Sequence, residues 1–312
     1  MLDCNSRVYA GRMRKMKFID MHCDTMLHLM NDQTLNLKDN DLCVDTKKMR
    51  QANQMAQFFA CFVNKSQFLG EHGWDEAYDY VLQMIAYSKQ LISYVKEELV
   101  LATCYEDIIQ NDKQGKMSAI LTIEEGGILN GDLSRLEELH RHGVRLITLT
   151  WNHENCIGFP NKQEGGLKSF GFDVIGKMNE LGIIVDVSHL SDAGFWDVLK
   201  CSQKPVVASH SNARTLCNHP RNLSDEMIRA LAKQGGVIGV NAYPYFLHSS
   251  GKASMELMAD HMAHIYHVGG EDVLGFGTDF DGYDDGVSDF CNISQMNMFY
   301  ELLVKRGFTE RQ

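Results

Sequence analysis

The chain has 312 residues, of which 44% are hydrophobic and 23% are charged, a composition typical of a folded globular protein. Its 41 acidic residues outnumber 30 Lys and Arg and give a net charge of -11. This balance argues against nucleic-acid binding and against adhesion to anionic membranes. No apolar run has the length of a signal peptide or of a membrane span.

The nine cysteines are odd in number and scattered, and no two of them form a Cys-x-x-Cys pair. This pattern disfavours a structural zinc knuckle and a disulfide framework. We therefore expect free, buried thiols in a reducing compartment, which predicts a cytoplasmic protein.

Short apolar runs alternate with longer amphipathic stretches along the chain. The runs predict eight strands, at Lys17–Cys23, Gln57–Val63, Met117–Ile123, Val144–Thr150, Ile183–Ser188, Pro205–Ser209, Gly236–Asn241 and Val273–Gly277. The stretches between them predict helices at Trp74–Glu98, Leu133–His142, Phe170–Leu181, Asp192–Cys201, Ser224–Gln234, Ser254–His267 and Ile293–Arg306. Ser224 is a suitable helix start and Gly182 a suitable helix stop.

Eight strand–helix repeats favour a closed α/β barrel of the (β/α)8 TIM type over a doubly wound sheet. Four Pro residues and the lack of a Ser/Gly-rich linker predict one domain over residues 1–312, with 1–16 as an N-terminal extension. The terminal run 309–312 (Thr-Glu-Arg-Gln) resembles a capping box. It is either a frayed tail or the start of a further helix in a longer natural chain.

Metal-binding residue types recur where the predicted strands end, which is the functional face of such a barrel. The first strand ends His22-Cys23-Asp24, and alternation turns His22 and Asp24 to the same side. The third runs into Glu124-Glu125, the fifth and sixth reach His189 and His210, and the eighth reaches Asp279. Each residue alone is more typical of a structural role, but together they predict a metal site.

Three histidines with carboxylates and without a thiolate suit Zn²⁺, and Mn²⁺ or Fe²⁺ would also suit them. The ligands are too many for one tetrahedral ion and sufficient for two. Two ions about 3.5–4 Å apart share a carboxylate and can activate a water molecule. A glutamate on the third strand lies between the other ligands in chain order and is the candidate bridge.

Several motifs resemble the membrane dipeptidase (renal dipeptidase) family of binuclear zinc peptidases, in the family's order and from about residue 17 onwards. They are Ile19–Asp24 (IDMHCD), Glu125–Gly127 (EGG), Leu146–Asn152 (LITLTWN), Val185–His189 (VDVSH), Ser209–Arg214 (SHSNAR) and Gly275–Gly282 (GFGTDFDG). The resemblance implies that His22 and Asp24 bind one zinc ion, that His189 and His210 bind the other, and that Glu125 bridges them.

The resemblance also implies roles for two residues that are not zinc ligands. Asp279 is similar to the family's aspartate that faces the bridging water and the free amino group of the dipeptide. Arg221 matches the arginine that binds the substrate carboxylate, a task for which a planar guanidinium is suited. As a hypothesis, a metal-activated water attacks the peptide carbonyl, and Asp279 carries a proton to the leaving amine.

The chain departs from the mammalian pattern after Thr150, where Trp151 stands in place of a histidine that stabilises the tetrahedral intermediate. This form is similar to the bacterial branch of the family. His153 follows two residues later, and it is either the replacement for that histidine or a loop residue. Trp151, Asn241 and Tyr243 are candidates for substrate binding, and ordinary loop packing is the alternative for Asn241 and Tyr243.

The sequence thus predicts a zinc-dependent dipeptidase that hydrolyses short peptides, including dipeptides with a D-residue at the C-terminal position. The resemblance also suggests a homodimer. Two alternatives remain: another amide or lactone hydrolase of the amidohydrolase type, and a catalytically silent metal- or peptide-binding homologue. The fourth strand end lacks a lysine, which disfavours the general amidohydrolase, and the intact ligand set counts against the silent homologue.

Overall fold

The computed structural model describes residues 16–284 and 286–309. Within these ranges nine strands form one sheet in which every pairing between strands is parallel. The strands are β1 Phe18–Cys23, β2 Gln54–Phe62, β3 Leu99–Leu101, β4 Met117–Glu124, β5 Val144–Thr148, β6 Ile184–Asp186, β7 Val207–Ala208, β8 Val237–Val240 and β9 Leu274–Phe276.

Eight of these strands close into a barrel in the order β1, β2, β4, β5, β6, β7, β8, β9 and back to β1. The longest seam joins β2 to β4, from the pair Ala56 and Ser118 to the pair Phe62 and Glu124. The predicted (β/α)8 barrel is therefore confirmed. The additional strand β3 pairs only with the first residues of β4, so it extends the sheet without entering the ring.

Each of the eight predicted strands is present, although several are shorter than expected. The prediction Pro205–Ser209 corresponds to β7, which has two residues. Val207 and Ala208 alone carry its pairing to the neighbouring strands, and the chain then leaves the sheet towards His210. Short strands of this kind bring polar residues to the barrel mouth directly after buried apolar ones.

Eleven α-helices lie within the described ranges. They are α1 Thr25–Asn31, α2 Thr46–Gln51, α3 Gly73–Tyr94, α4 Tyr105–Lys113, α5 Ser134–Arg141, α6 Ser169–Leu181, α7 Asp192–Cys201, α8 Asp225–Lys233, α9 Pro244–Leu247, α10 Met255–Gly269 and α11 Met296–Lys305. The predicted helix Trp74–Glu98 ends early, at Tyr94, because the chain turns there to enter β3. The helices α1, α2, α4 and α9 were not predicted.

Local sequence fixes two helix ends as expected. The Ser224 side chain accepts a hydrogen bond from the Met227 amide and caps α8. Gly182 ends α6 with a φ of 73°, a left-handed conformation that glycine adopts without a steric penalty.

Buried apolar side chains of the strands and helices form one large core cluster, and every residue of β4 is buried. The eight cysteines in the described part of the chain are free, as predicted, and Cys23, Cys61 and Cys217 are also buried as predicted. Burial was wrongly predicted for the other five, of which Cys43, Cys156 and Cys201 are partly buried and Cys104 and Cys291 are exposed. No helix in the described ranges is long and apolar enough to cross a bilayer. The predictions for residues 1–15 and 310–312 lie outside the described residues.

Candidate metal centre

Strand β1 delivers the first two side chains to the barrel mouth. His22 and Asp24 are both buried, and His22 Nε2 lies 3.5 Å from Asp24 Oδ2. The Asp24 amide donates to the Phe280 carbonyl at 2.9 Å, which ties the end of β1 to the loop after β9. The predicted pairing of His22 with Asp24 on one side of the strand thus agrees with the geometry.

Glu124, the last residue of β4, reaches the middle of the histidine cluster with both of its carboxylate oxygens. Oε1 lies 3.0 Å from His189 Nε2 and 3.5 Å from His210 Nε2. Oε2 lies 3.3 Å from His22 Nε2. The two oxygens therefore face different histidines, which is the arrangement that a carboxylate shared by two cations requires.

Glu125 does not occupy this position, which corrects the sequence-based placement of the bridging carboxylate. Its backbone has a φ of 99°, and its carboxylate belongs to none of the ligand sets found among the described residues. Oε1 accepts hydrogen bonds from the Gly127 amide at 2.8 Å and from Asn155 Nδ2 at 2.6 Å, and Oε2 accepts from the Trp151 amide at 3.3 Å. Glu125 therefore holds together the loops that follow β4 and β5.

His189 and His210 follow β6 and β7, and their Nε2 atoms lie 2.9 Å apart. His189 has a φ of 66°, a backbone conformation that is uncommon for residues other than glycine. The outer nitrogen of each ring has its own partner. His189 Nδ1 lies 3.4 Å from Asn152 Oδ1, and His210 Nδ1 lies 2.7 Å from Ser209 Oγ.

The donor atoms of this cluster fit divalent cations. Three sets have their ligand atoms within 4.8 Å of one another: His22 with Asp24 and Glu124, Glu124 with His189 and His210, and His22 with His210 and Asp279. Both ring nitrogens of His22 and Oδ1 of Asp24 are buried without a hydrogen-bond partner among the described residues. Buried polar atoms rarely stay unpaired in a folded protein, so a cation would satisfy groups that are otherwise orphaned.

The electrostatics of the cluster also favour a positive charge at its centre. Burial would lower the pKa of His22, but the carboxylates of Glu124 and Asp24 outweigh it and hold the pKa well above its ordinary value. Burial would likewise raise the pKa of Glu124, but the neighbouring His22 and His189 hold it far below its ordinary value. A cation bound between these groups would replace the positive charge that they otherwise take from a proton.

Asp279 stands beside the cluster on the loop after β9, with a φ of 60°. Its Oδ1 lies 3.8 Å from His22 Nε2, and its Oδ2 accepts a hydrogen bond from Asn241 Nδ2 at 2.8 Å. Burial, together with the charges of Asp24 and Glu124, raises the pKa of Asp279 to about 7. Such a group can both accept and release a proton near neutral pH.

Arg221 is buried in the loop after β7. Its Nη2 donates to the His210 carbonyl at 3.2 Å, and its guanidinium lies 5.2 Å from the Phe246 ring centroid. Its Nε has no hydrogen-bond partner among the described residues. Burial lowers the pKa of Arg221 to about 10, so the side chain stays cationic at neutral pH.

A cleft of about 880 Å³ opens over the cluster. Its lining includes Asp24, Glu124, His189, Asp279, Trp151 and Tyr243. Asn241 and Arg221 are buried and do not belong to the described lining of this cleft, and Asn241 supports Asp279 from behind it by a hydrogen bond. His153 also stays outside the lining, and its Nδ1 is buried without a partner among the described residues, so its catalytic role remains a prediction.

The barrel therefore brings together His22, Asp24, His189, His210 and Asp279, and it substitutes Glu124 for Glu125. Sequence reasoning missed Asn152 beside His189, although this residue directly follows Trp151, which was singled out. It also missed Asp281, which lines the cleft and accepts a hydrogen bond from Thr25 Oγ1 at 2.6 Å. The repeated aspartates of the run Asp279-Phe280-Asp281 were the available indication.

A closed parallel barrel with histidines and carboxylates converging at the carboxyl ends of its strands defines a (β/α)8 protein with a candidate metal centre. The chain belongs to the membrane dipeptidase family (peptidase family M19), whose profile matches residues 10–312. This assignment places it among the metal-dependent dipeptidases and confirms the resemblance seen in its motifs.

Known relatives agree with the family assignment. The chain is 32% identical to an uncharacterized dipeptidase of Schizosaccharomyces pombe over 95% of its own length and 76% of that protein. It is 30% identical to a dipeptidase of Aspergillus oryzae over 85% of its length and 65% of that protein. A crystal structure of a metallopeptidase from Rhodobacter sphaeroides, bound to a phosphinate mimic of L-Ala-D-Ala, superposes with a TM-score of 0.88. It covers 95% of this chain and 94% of the other at 23% identity, which shows the shared fold.

Proposed function

We propose that this protein hydrolyses dipeptides with the help of two divalent cations, for which Zn²⁺ is the best match to the ligands. The observation that carries the proposal is the position of Glu124. Its two oxygens face different histidines, at 3.0 Å from His189 Nε2 and 3.3 Å from His22 Nε2. A carboxylate in this arrangement can contribute one oxygen to each of two ions.

The side chains divide into two ligand sets around this carboxylate. His22 and Asp24 would hold one cation and His189 and His210 the other, with Glu124 common to both. When bound, such ions lower the pKa of a water molecule and polarise a carbonyl oxygen. Mn²⁺ or Fe²⁺ would suit the same donors.

Asp279 is our candidate for proton transfer. Asn241 donates to Oδ2 and leaves Oδ1, on the side of His22, free to take a proton from the attacking water. The same oxygen can return that proton to the leaving amine of the dipeptide. A carboxylate within reach of both groups is suited to this general acid–base role.

Arg221 is our candidate for binding the C-terminal carboxylate of the substrate. Its buried Nε–H lacks a partner among the described residues, and the Phe246 ring supports the guanidinium. With Asp279 near the free amine and Arg221 near the free carboxylate, only very short peptides would fit. The dipeptide mimic in the Rhodobacter structure supports a dipeptide with a C-terminal D-residue as one substrate class.

Matched variants of the two adjacent glutamates test the proposal. Glu124→Gln should lower zinc affinity and kcat/KM for dipeptides by more than about 100-fold, since even the loss of an outer partner of a ligand costs 10–100-fold. Glu125→Gln, its control, should retain both within about tenfold. Zinc content and hydrolysis of L,L and L,D dipeptides are measured for each. A wild-type protein without bound metal or without dipeptide hydrolysis would refute the proposal.

We also propose that the protein works in the cytoplasm, which is supported by the free state of the eight described cysteines. The homodimer suggested by the family resemblance stays a prediction, and size-exclusion chromatography with light scattering tests it.

A further inference from the structure

A buried carboxylate that does not face the cleft lies directly behind the metal centre. Asp186 ends β6 and is fully buried. Its Oδ1 accepts hydrogen bonds from the amides of Ser188 at 3.0 Å and Ser209 at 2.8 Å. Its Oδ2 accepts from two hydroxyl groups, Thr148 Oγ1 and Ser209 Oγ, each at 2.6 Å.

One of these two hydroxyl groups, that of Ser209, also contacts a histidine of the metal centre. Ser209 Oγ lies 2.7 Å from His210 Nδ1 and 3.3 Å from Ser188 Oγ, whereas Thr148 Oγ1 bonds to Asp186 alone among the described residues. The Ser209 hydroxyl donates its single proton to Asp186 Oδ2 at 2.6 Å. The serine oxygen is then an acceptor towards the ring, and His210 Nδ1 must be the donor.

We propose that Ser209 and Asp186 are positioning residues that fix the tautomer of His210. With its proton held at Nδ1, the ring presents the lone pair of Nε2 to the cluster. That atom lies 2.9 Å from His189 Nε2 and 3.5 Å from Glu124 Oε1. The inference rests on the proposed function, because the lone pair is useful only if a cation binds there.

The three histidines of the centre differ in the hydrogen-bond partner of their Nδ1 atom. In the described part of the chain, His189 Nδ1 has only the 3.4 Å contact with Asn152, an exposed residue. His22 Nδ1 has no hydrogen-bond partner among the described residues. His210 is therefore the ring with the firmest outer support, held through a buried serine by a carboxylate that four donors keep in place. Outer partners of this kind orient a metal ligand and increase its basicity.

The chain offers a matched pair of variants. Ser209→Ala removes the hydroxyl that joins Asp186 to His210. Thr148→Val removes the other hydroxyl from the same oxygen, at the same distance, and preserves the shape of the side chain. Both variants lose one buried hydrogen bond to Asp186, so a purely structural role would give similar losses of stability and no difference in metal binding.

Zinc affinity is measured by competition with a chelator, and thermal unfolding of each full-length variant is recorded beside it. Ser209→Ala should weaken zinc binding by about 10–100-fold, while Thr148→Val changes it by less than about threefold. Equal zinc affinity of Ser209→Ala and the wild type would overturn the proposal and leave the dipeptidase function standing.

A second measurement does not need the metal. In the zinc-free protein with ¹⁵N-labelled histidine, the His210 signals, identified by their loss in His210→Gln, should show a proton on Nδ1. Ser209→Ala should give a mixture of tautomers. A wild-type His210 protonated on Nε2 would contradict the inference, whatever the zinc affinity and peptidase activity prove to be.

Discussion

Two adjacent glutamates at the end of β4 have identical side chains, but their surroundings shift their pKa values in opposite directions. Both are buried, but Glu124 faces three histidines while Glu125 faces amide donors. The histidines keep Glu124 ionised and available to a cation. Burial outweighs the hydrogen bonds of Glu125 and raises its pKa to about 7, with the nearby Glu124 charge acting in the same direction.

The raised pKa of Glu125 predicts a pH-dependent stability. Because the folded state binds this proton more tightly than the unfolded chain, the stability it gives is complete below pH 4.5 and is lost as the pH rises through about 7. The shift corresponds to about 3 kcal/mol. Glu125→Gln, which cannot titrate, should gain up to this amount relative to the wild type between pH 4 and pH 8.

Urea unfolding of the zinc-free protein at both pH values measures the difference. Glu125→Gln also changes the hydrogen bond with the Trp151 amide, but this effect on stability does not depend on pH. It therefore cancels when the two pH values are compared. An unchanged difference in the free energy of unfolding would show that Glu125 has the same pKa in the folded and unfolded states, which would contradict the prediction.

The sequence alone does not show which of these two glutamates faces the histidines. Both follow the same apolar run, and a pattern of burial does not locate the end of a strand to one residue. In the structure β4 includes Glu124, which pairs with Phe62 and Thr148, and the chain turns at Glu125 into a left-handed conformation. His22, Asp24, His189, His210 and Asp279 were less ambiguous, because no identical residue stands beside them.

At the scale of elements, the loop after β9 packs closely against the carboxylates of the metal centre. A Cβ atom on Gly282 would lie 2.5 Å from Asp24 Oδ2 and 2.6 Å from Asp279 Oδ1. Gly282→Ala should therefore displace both carboxylates and lower zinc affinity and kcat/KM by at least about tenfold. Zinc titration and dipeptide kinetics measure the effect.

Gly176 provides the control, because a Cβ atom there would meet nothing within 4 Å. It lies inside α6, where alanine stabilises a helix by about 1 kcal/mol relative to glycine. Gly176→Ala should leave activity unchanged. Full activity in Gly282→Ala would mean that the loop relaxes without moving the ligands.

Asp281 joins three elements at the cleft. Its carboxylate accepts from Thr25 Oγ1 in α1 at 2.6 Å and from the Cys43 amide before α2 at 2.8 Å. Asp281→Ala should destabilise the protein by about 2–4 kcal/mol, since hydrogen bonds to a charged group are worth about 1.5–3 kcal/mol each. The exposed Asp284, which forms no ion pair with a described residue, is the control in Asp284→Ala, and equal urea midpoints would count against this role.

The sequence predicted the strands and long helices of the barrel, but it did not predict the short elements β3, α2 and α4. The eight barrel strands and the long helices carry apolar patterns that a periodicity can detect. Strand β3 has only three residues, and α4 buries a single residue, Asn111, so neither leaves a clear pattern. The helix α2 buries only Thr46 and Met49. Elements that bury little are decided by their tertiary neighbours and not by their own sequence.

For the molecule as a whole, the excess of acidic residues is concentrated at the functional opening. The described lining of the cleft contains six carboxylates, namely Asp24, Asp41, Glu124, Asp279, Asp281 and Asp284, and neither a lysine nor an arginine. Bound cations would compensate the residues around the centre. Asp41 and Asp284 are exposed and form no ion pair with any described residue, so the entrance remains negative.

This field predicts a preference among substrates by charge. Dipeptides with a lysine side chain should show a kcat/KM about tenfold higher at low salt than those with a glutamate side chain, because a charged cleft concentrates ligands of opposite sign. The ratio should fall towards one in 0.5 M salt, where screening shortens the range of the field. The double variant Asp41→Asn/Asp284→Asn should reduce the ratio at low salt and leave zinc content unchanged. Steady-state kinetics on matched Lys-Ala and Glu-Ala substrates decides the matter, and a salt-independent ratio would assign the preference to direct contacts within the cleft.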